Sequence, residues 1–204
     1  MADGSVLQLL EDRLDLARRP WRDFEGGEPT RQAAVLVALT DTAEPEVLLG
    51  RRAMHLPLHP GEIAFAGGKR EAQDDSPWHT ALREAMEEVG IPEGHVRAIG
   101  ELDSLVTRTN FEVFPCVALI PPGLDLVVDP GEFDSVFYAP LSVFADREIF
   151  RLETMRDGVH ARRVPHYQVG DDNVWGVTAA VLAQIANVAY DAGLELERNW
   201  KVKP

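Results

Sequence analysis

The chain has 204 residues, of which 45% are hydrophobic and 26% are charged, a balance typical of a soluble globular protein. Acidic residues outnumber basic ones by 34 to 20, which gives a formal net charge of −14. This charge repels nucleic acids and anionic membrane surfaces, so we expect neither as a partner. It does not exclude a small phosphorylated ligand, because a divalent cation held by carboxylates inverts the local charge.

The sequence shows no signal for export or for membrane insertion. Its N-terminus lacks a basic segment followed by an apolar stretch, and no apolar run approaches the ~20 residues that span a bilayer. The single cysteine, Cys116, lies in an apolar run and offers neither a disulfide nor a Cys-rich zinc site. We therefore expect a cytoplasmic protein.

The first predicted element is an N-terminal helix. Ser5 and Gln8 have the spacing of a capping box, and the apolar residues that follow recur at helical spacing until Pro20. A connector rich in Gly, Pro and charge leads to the first strand signal. We expect residues 1–30 to form this helix and connector, residues 31–194 to form one domain, and residues 195–204 to form a tail.

Strand and helix signals alternate irregularly through the rest of the chain. The strand signals are β-branched or apolar runs at 33–40, 47–51, 96–101, 113–120, 133–138, 151–155 and 159–169. The last two flank Asp157-Gly158, a two-residue hairpin signal. Helices are predicted at 77–89, between Ser76-Pro77 and Gly90, and at 177–192. This order predicts a mixed sheet flanked by helices.

The helix at 77–89 carries the residues that indicate chemistry. On a helical wheel Glu84, Glu87 and Glu88 gather on one side, and the apolar residues gather on the other. Such a face is ordinarily a solvated acidic surface, but Glu84 and Glu88 form a repulsive i,i+4 pair. Clustered carboxylates are the ligands that Mg²⁺ prefers. The pattern therefore indicates metal-assisted attack on phosphorus, with one carboxylate accepting the proton of a water.

Residues 68–91 resemble the Nudix box, whose pattern is G-x5-E-x7-R-E-U-x-E-E-x-G-U, with U apolar. The second half, from Arg83 to Ile91, matches every defined position. In the first half Asp74 stands where the pattern has Glu, and eight residues rather than seven separate it from Arg83. The resemblance implies a Nudix fold, an α/β/α sandwich with a mixed sheet, here with an N-terminal helix and a C-terminal helix.

An upstream stretch resembles the coenzyme A diphosphatase branch of the Nudix hydrolases. The signature of that branch has the form L-L-T-x-R-S, followed by Arg, Gly and F-P-G-G. Corresponding residues stand at the right spacings, namely Leu48-Leu49, Arg52, Gly61 and Phe65-Ala66-Gly67-Gly68. The resemblance implies that the substrate is coenzyme A or an acyl derivative, cleaved to 3′,5′-ADP and (acyl-)phosphopantetheine.

Departures from the branch signature keep two alternatives open. The departures are Gly50 for Thr, Ala53 for Ser, Pro57 for Arg, Glu62 for Gln and Ala66 for Pro. One alternative keeps the reaction and changes the substrate to ADP-ribose, a dinucleoside polyphosphate or a nucleotide sugar. The other is a module that senses a nucleotide without cleaving it. The intact glutamates of the box favour an enzyme.

The resemblance also implies roles for individual residues in the box. Glu84, Glu87 and Glu88 are expected to bind Mg²⁺ or Mn²⁺, and Gly68 is expected to add a backbone oxygen. Arg83 is expected to orient a glutamate. Glu84 and Glu87 are both candidates for the catalytic base.

The remaining candidates lie near the motifs. Arg52, Lys69, Gly67 and Gly68 are predicted to contact the substrate, since arginine matches two phosphate oxygens and glycine allows a close backbone approach. Nudix enzymes often recruit a further acidic residue from a distant loop, and Glu132 and Glu62 are the candidates here. The expected partner is a small nucleotide substrate similar to coenzyme A. The oligomeric state is left open, with a homodimer as one option.

Overall fold

The computed structural model describes residues 5–16, 21, 31–157 and 160–196, and its elements follow one another in this order. They are α1 (Val6–Arg13), β1 (Arg31–Thr40), β2 (Glu46–Arg52), β3 (Ile63–Ala64), β4 (Gly67–Lys69), α2 (Pro77–Val89), β5 (Arg97–Glu101), β6 (Leu105–Val106), β7 (Phe111–Ile120), β8 (Phe133–Pro140), β9 (Phe150–Asp157), β10 (His160–Val169), β11 (Asp172–Trp175) and α3 (Gly176–Tyr190). Short 3₁₀ helices lie at Glu93–His95 and Leu141–Ala145.

The main sheet is mixed, as predicted. Its central strand β1 pairs in parallel with β7 and antiparallel with both β2 and β4. Strand β2 meets β1 at one end, where Leu39 lies opposite Val47, and pairs with β3 at its other end. Strands β3 and β4 therefore fill the gap where β1 and β2 diverge. The Leu36 amide, which donates a 2.9 Å hydrogen bond to the Ala66 carbonyl, closes this join.

Alternating side chains of the main sheet pack into two apolar cores. On one face Ala34, Leu36 and Ala38 of β1 pack with α2. On the other face Val37 and Leu39 pack with α3, α1 and the antiparallel sheet β9–β10–β11. A strand with both faces buried shows this alternation between two cores. The structure thus confirms the expected α/β/α sandwich.

Helix α2 has the predicted bounds because its capping residues act as the sequence indicates. The Ser76 hydroxyl accepts a hydrogen bond from the His79 amide, and Pro77 occupies the first turn. Gly90 ends the helix with φ +71°, in the left-handed region that glycine adopts readily. Among the described residues, no helix is long and apolar enough to cross a membrane.

The N-terminal helix is shorter than the pattern predicts. Ser5 caps it as expected, but α1 ends at Arg13, because Leu14 is extended and Asp15 forms a β-bridge with Glu101 of β5. The connector at 20–31 lies almost entirely outside the described residues, as do Gly158 of the predicted hairpin turn and residues 197–204 of the tail. The two strands of the predicted hairpin pair antiparallel, as β9 and β10. The domain bounds stay a prediction.

Candidate active site

The polar face of α2 meets the β3–β4 corner of the main sheet. Glu88 lies in the last turn of the helix and is 6% exposed. Its Oε2 accepts a 2.9 Å hydrogen bond from the Gly67 amide, which joins the helix to the start of β4. The helical periodicity that packs Ala85 and Val89 against the sheet therefore also brings Glu88 to the sheet.

Both glycines of the corner are required by close contacts. A Cβ atom at Gly67 would lie 2.4 Å from the Ala34 carbonyl oxygen and 2.6 Å from the Val35 Cα. A Cβ atom at Gly68 would lie 2.2 Å from Oε1 of Glu84. The backbone of Gly68 and the carboxylate of Glu84 are thus in direct contact, as the sequence predicts for this pair.

Arg83 is fixed by the buried carboxylate of Asp74, whose side chain is fully inaccessible. Arg83 Nε and Nη2 donate to the two oxygens of Asp74 at 3.2 and 3.0 Å, and Nη2 also donates to the Lys69 carbonyl at 3.2 Å. Asp74 accepts two further bonds, from the Glu71 amide at 2.9 Å and the Thr80 hydroxyl at 2.7 Å. Burial would raise the pKa of Asp74, but these donors outweigh it and lower the pKa to about 2.

The remaining nitrogen of Arg83 reaches the glutamates of the helix. Nη1 lies 3.0 Å from Oε1 of Glu84 and 3.3 Å from Oε2 of Glu87. Asp74 holds one side of the guanidinium while Nη1 holds the two carboxylates on the other. This geometry agrees with the expected orienting role of Arg83, which itself stays a prediction.

Glu88 faces more negative than positive charge. Burial and the nearby carboxylates of Glu84 and Glu132 raise its pKa to about 8, against the opposing effects of the Gly67 amide and the Arg52 guanidinium. Arg52 Nη2 is 3.8 Å from Glu132, and its buried Nε has no hydrogen-bond partner among the described residues. Burial likewise raises the pKa of Glu84, although Arg83 opposes this. An added cation at this position would relieve the excess negative charge.

Glu132 reaches Glu88 because the loop before β8 runs along the end of α2. The Val127 amide donates to the Val89 carbonyl at 3.1 Å, and the Asp129 amide donates to the Glu88 carbonyl at 2.8 Å. The Glu132 carbonyl in turn accepts a bond from the Ala53 amide. The structure therefore brings this sequence-distant acid to the candidate site.

Two other predicted residues point elsewhere. Both carboxylate oxygens of Glu62 lie 3.0 Å from Nδ1 of His59, within the loop between β2 and β3. Lys69 directs its Nζ to the ring of Phe111, 5.7 Å from the centroid. Neither side chain is placed with the glutamates by these contacts.

No three His, Cys, Asp or Glu side chains within the described part of the chain are arranged to hold a metal ion. Mg²⁺, however, usually takes only one or two protein carboxylates and completes its shell with waters and substrate phosphates. The donors present, which are carboxylates beside a close backbone, are of the kind that a hard cation binds. The chemistry of the donor set fits Mg²⁺ or Mn²⁺.

The sequence does not reveal how Arg83 is held. Asp74 departs from the Nudix pattern in residue type and in spacing, and Thr80 looks like an ordinary helix residue. Their hydrogen bonds depend on the fold of the loop between β4 and α2. The signal available was the acidic residue itself, which stands at the acidic position of the pattern.

Comparison with known proteins gives the family of the chain. A model of the NUDIX domain matches residues 30–157. The chain is 39% identical over 157 residues to NudL of Photorhabdus laumondii, an uncharacterized Nudix hydrolase, which covers 76% of this chain and 83% of that protein. NudL of Enterobacter sp. (strain 638) is 40% identical over 162 residues, covering 76% and 81%. A solved C. elegans Ap4A hydrolase complex is 22% identical, with a TM-score of 0.47 over 53% of this chain and 80% of that chain.

Proposed function

Since this chain belongs to the Nudix hydrolase family, we propose that its substrate is coenzyme A or an acyl derivative. The proposed reaction is hydrolysis of the diphosphate bond, with Mg²⁺ or Mn²⁺, to 3′,5′-ADP and (acyl-)phosphopantetheine. The reaction class follows from the family, and the substrate is supported by the branch signature between Leu48 and Gly68. In the structure Phe65 and Ala66 of that signature are buried, and they lead directly to the glycines that contact Glu84 and Glu88.

The observation that carries the proposal is the buried carboxylate of Glu88. A buried carboxylate is costly unless it is paired, and Glu88 faces Glu84 and Glu132 with Arg52 as the opposing side-chain charge. A divalent cation would balance this charge. When bound, such a cation polarises phosphoryl oxygens and lowers the pKa of the attacking water.

The proposal gives each residue of the box a role. Glu84, Glu87, Glu88 and the backbone oxygen of Gly68 would hold the cation. Arg83 holds the carboxylates of Glu84 and Glu87 in fixed directions. Glu87 is the more exposed of these two, with a side chain that is 60% accessible against 15% for Glu84, so it is better placed to pass a proton to solvent. We favour Glu87 as the base and Glu84 as a ligand.

Two further groups complete the proposed site. Glu132 is the further acidic residue, because it adds its charge beside Glu88. Arg52 would contact substrate phosphate through its guanidinium, whose buried Nε lacks a partner among the described residues. The substrate is a small molecule, and we propose that the enzyme acts in the cytoplasm. A homodimer stays a prediction, which light scattering of the purified protein tests.

The test is hydrolysis of coenzyme A with Mg²⁺ or Mn²⁺, with the products resolved by chromatography. We expect release of 3′,5′-ADP by the wild type and a loss of about a hundredfold or more in Glu88→Gln, which keeps the shape of the side chain without its charge. Glu93→Gln, on the surface beyond α2, is the matched control and should keep wild-type activity. Equal activity in Glu88→Gln would refute the assigned site.

A second substrate class is supported by Glu62. This residue replaces the glutamine of the branch signature and adds a negative charge between Arg52 and the glycine corner. An added charge there disfavours the substrate with the most phosphates, and ADP-ribose carries one phosphate fewer than coenzyme A. ADP-ribose, a dinucleoside polyphosphate and a nucleotide sugar therefore belong in the same assay. Faster turnover of one of these would replace coenzyme A in the proposal, and binding without turnover would replace the enzyme by a sensing module.

A further inference from the structure

Two cations surround one aromatic ring at the end of the main sheet. Arg31 begins β1, Lys69 ends β4 and Phe111 begins β7, so all three lie at the same end of three neighbouring strands. The guanidinium carbon of Arg31 is 5.6 Å from the centroid of the Phe111 ring, and Lys69 Nζ is 5.7 Å from it. These three residues are called the ring cluster below.

The strand register explains how Lys69 reaches a ring two strands away. Lys69 lies opposite Ala33 of β1, and Arg31 lies opposite Phe111 of β7. Paired residues and residues two apart on a strand share one face of a sheet. Ala33 therefore stands between Lys69 and the ring, and its small side chain leaves room for the lysine to cross β1.

The charge of the ring cluster is unbalanced. Both Arg31 and Lys69 are exposed, and neither has a carboxylate partner among the described residues. This is unusual for a chain in which acidic residues outnumber basic ones by 34 to 20. Two adjacent cations repel each other, and a dianion placed between them converts that repulsion into two attractions.

The ring cluster is close to the candidate active site but does not face it. Gly68, next to Lys69, contacts Glu84 on the α2 side of β4, and the Lys69 carbonyl accepts a bond from Arg83. The Lys69 side chain leaves the strand on the opposite side, because successive side chains alternate. A ligand that touches both Glu84 and the ring cluster must therefore pass around the end of β4. The scissile diphosphate at the glutamates does not extend to both places.

We propose that the ring cluster binds a phosphomonoester of the substrate, separate from the diphosphate that is cleaved. This inference rests on the proposed function and narrows the substrate to a nucleoside diphosphate derivative with an additional phosphate on its ribose. A phosphomonoester carries close to two negative charges, which matches Arg31 and Lys69. Coenzyme A has such a group and dephospho-coenzyme A lacks it.

The test compares binding within two pairs of ligands by calorimetry, with EDTA present so that no hydrolysis occurs. The pairs are coenzyme A with dephospho-coenzyme A, and 2′-phospho-ADP-ribose with ADP-ribose. We expect the phosphorylated member to bind about tenfold more tightly, as for one charge-assisted contact. Arg31→Gln and Lys69→Gln should each reduce this ratio several-fold, and the double variant should bring it near one.

Controls separate a specific contact from a general change of charge. Arg156→Gln removes one exposed positive charge on β9 and should keep the wild-type ratio. Lys69→Arg keeps the charge and should also keep the ratio. Melting temperatures check that the variants are folded. In turnover assays with metal, loss of the ring cluster should raise KM for coenzyme A more than it lowers kcat.

The outcomes distinguish this inference from the proposed substrate. A ratio near one in the wild type, or a ratio that survives in the double variant, overturns the inference even if coenzyme A is hydrolysed. Selective binding of 2′-phospho-ADP-ribose that depends on Arg31 and Lys69, without binding of coenzyme A, supports the ring cluster and overturns coenzyme A as substrate. Absence of binding in both pairs overturns both.

Discussion

Replacing Asp74 by asparagine should destabilise the protein without changing the shape of the side chain. Asp74→Asn leaves Arg83 largely buried and without the anion that accepts bonds from its Nε and Nη2. Breaking a buried ion pair on one side leaves an uncompensated charge, which is the costly case. The same substitution frees Arg83 from the position in which it contacts Glu84 and Glu87, so activity should fall as well.

The magnitude follows from the pKa of Asp74. Arg83, Thr80 and the Glu71 amide lower this pKa from the ordinary value of 3.8 to about 2. A lowering of about 1.8 pKa units corresponds to about 2.5 kcal/mol of folding free energy at neutral pH. Because the pKa is lowered on folding, this stabilisation is complete above the unfolded value and is lost as the pH falls towards about 2. About half should remain near pH 3.

The assay is urea unfolding of wild type and Asp74→Asn at several pH values. We expect a difference in unfolding free energy of about 2–3 kcal/mol at neutral pH, which narrows as the pH falls from about 5 to about 3. The neighbouring Asp75 is the matched control, since its side chain is 86% exposed and Asp75→Asn should change stability by less than about 0.5 kcal/mol. Equal effects of the two substitutions, or a difference that is independent of pH, would refute the reasoning.

The remaining predictions concern the glutamates and the glycine corner. Because the pKa of Glu88 is raised to about 8, a metal ion must displace a proton below that pH, so the apparent dissociation constant for Mg²⁺ should fall about tenfold per pH unit from about pH 6 and level off above about pH 8. Calorimetry checks this, and Glu88→Gln should abolish the dependence. Gly68→Ala should displace the flexible end of Glu84 and reduce activity about a hundredfold at nearly unchanged stability, checked by kinetics and melting. Gly67→Ala meets backbone instead and should cost about 1–3 kcal/mol in urea unfolding; a milder effect than that of Gly68→Ala on melting would contradict this.

The elements that the sequence predicts well are those with local signals. Helix α2 has its predicted bounds because Ser76, Pro77 and Gly90 fix its ends within the segment itself. Strands β3, β4 and β6 are two or three residues long, too short for a periodic pattern, and exist only because β1, β2 and β7 offer pairing positions. The early end of α1 has the same cause, since Asp15 pairs with Glu101, which is distant in the sequence.

The candidate site divides along the same line. Residues on one helix, such as Glu84 and Glu88, are placed together by helical spacing, which the sequence contains. The proximity of Glu132 depends on the backbone bonds that tie its loop to the end of α2, and no spacing rule predicts them. Glu62 shows the reverse case: it stands close to the glycines in sequence, yet its carboxylate lies against His59.

The box therefore combines two electrostatic arrangements of opposite character. Asp74 and Arg83 satisfy each other within the protein, and the lowered pKa of Asp74 means that folding gains from its charge. Glu88 is held at the end of the same helix with its pKa raised, which means that folding alone opposes its charge. The first arrangement stabilises the loop between β4 and α2 without any ligand, whereas the second gains its stabilisation when a cation binds. Substitutions at Asp74 should consequently change stability and activity together, while Glu88→Gln should abolish activity and leave the metal-free protein at least as stable as the wild type near neutral pH.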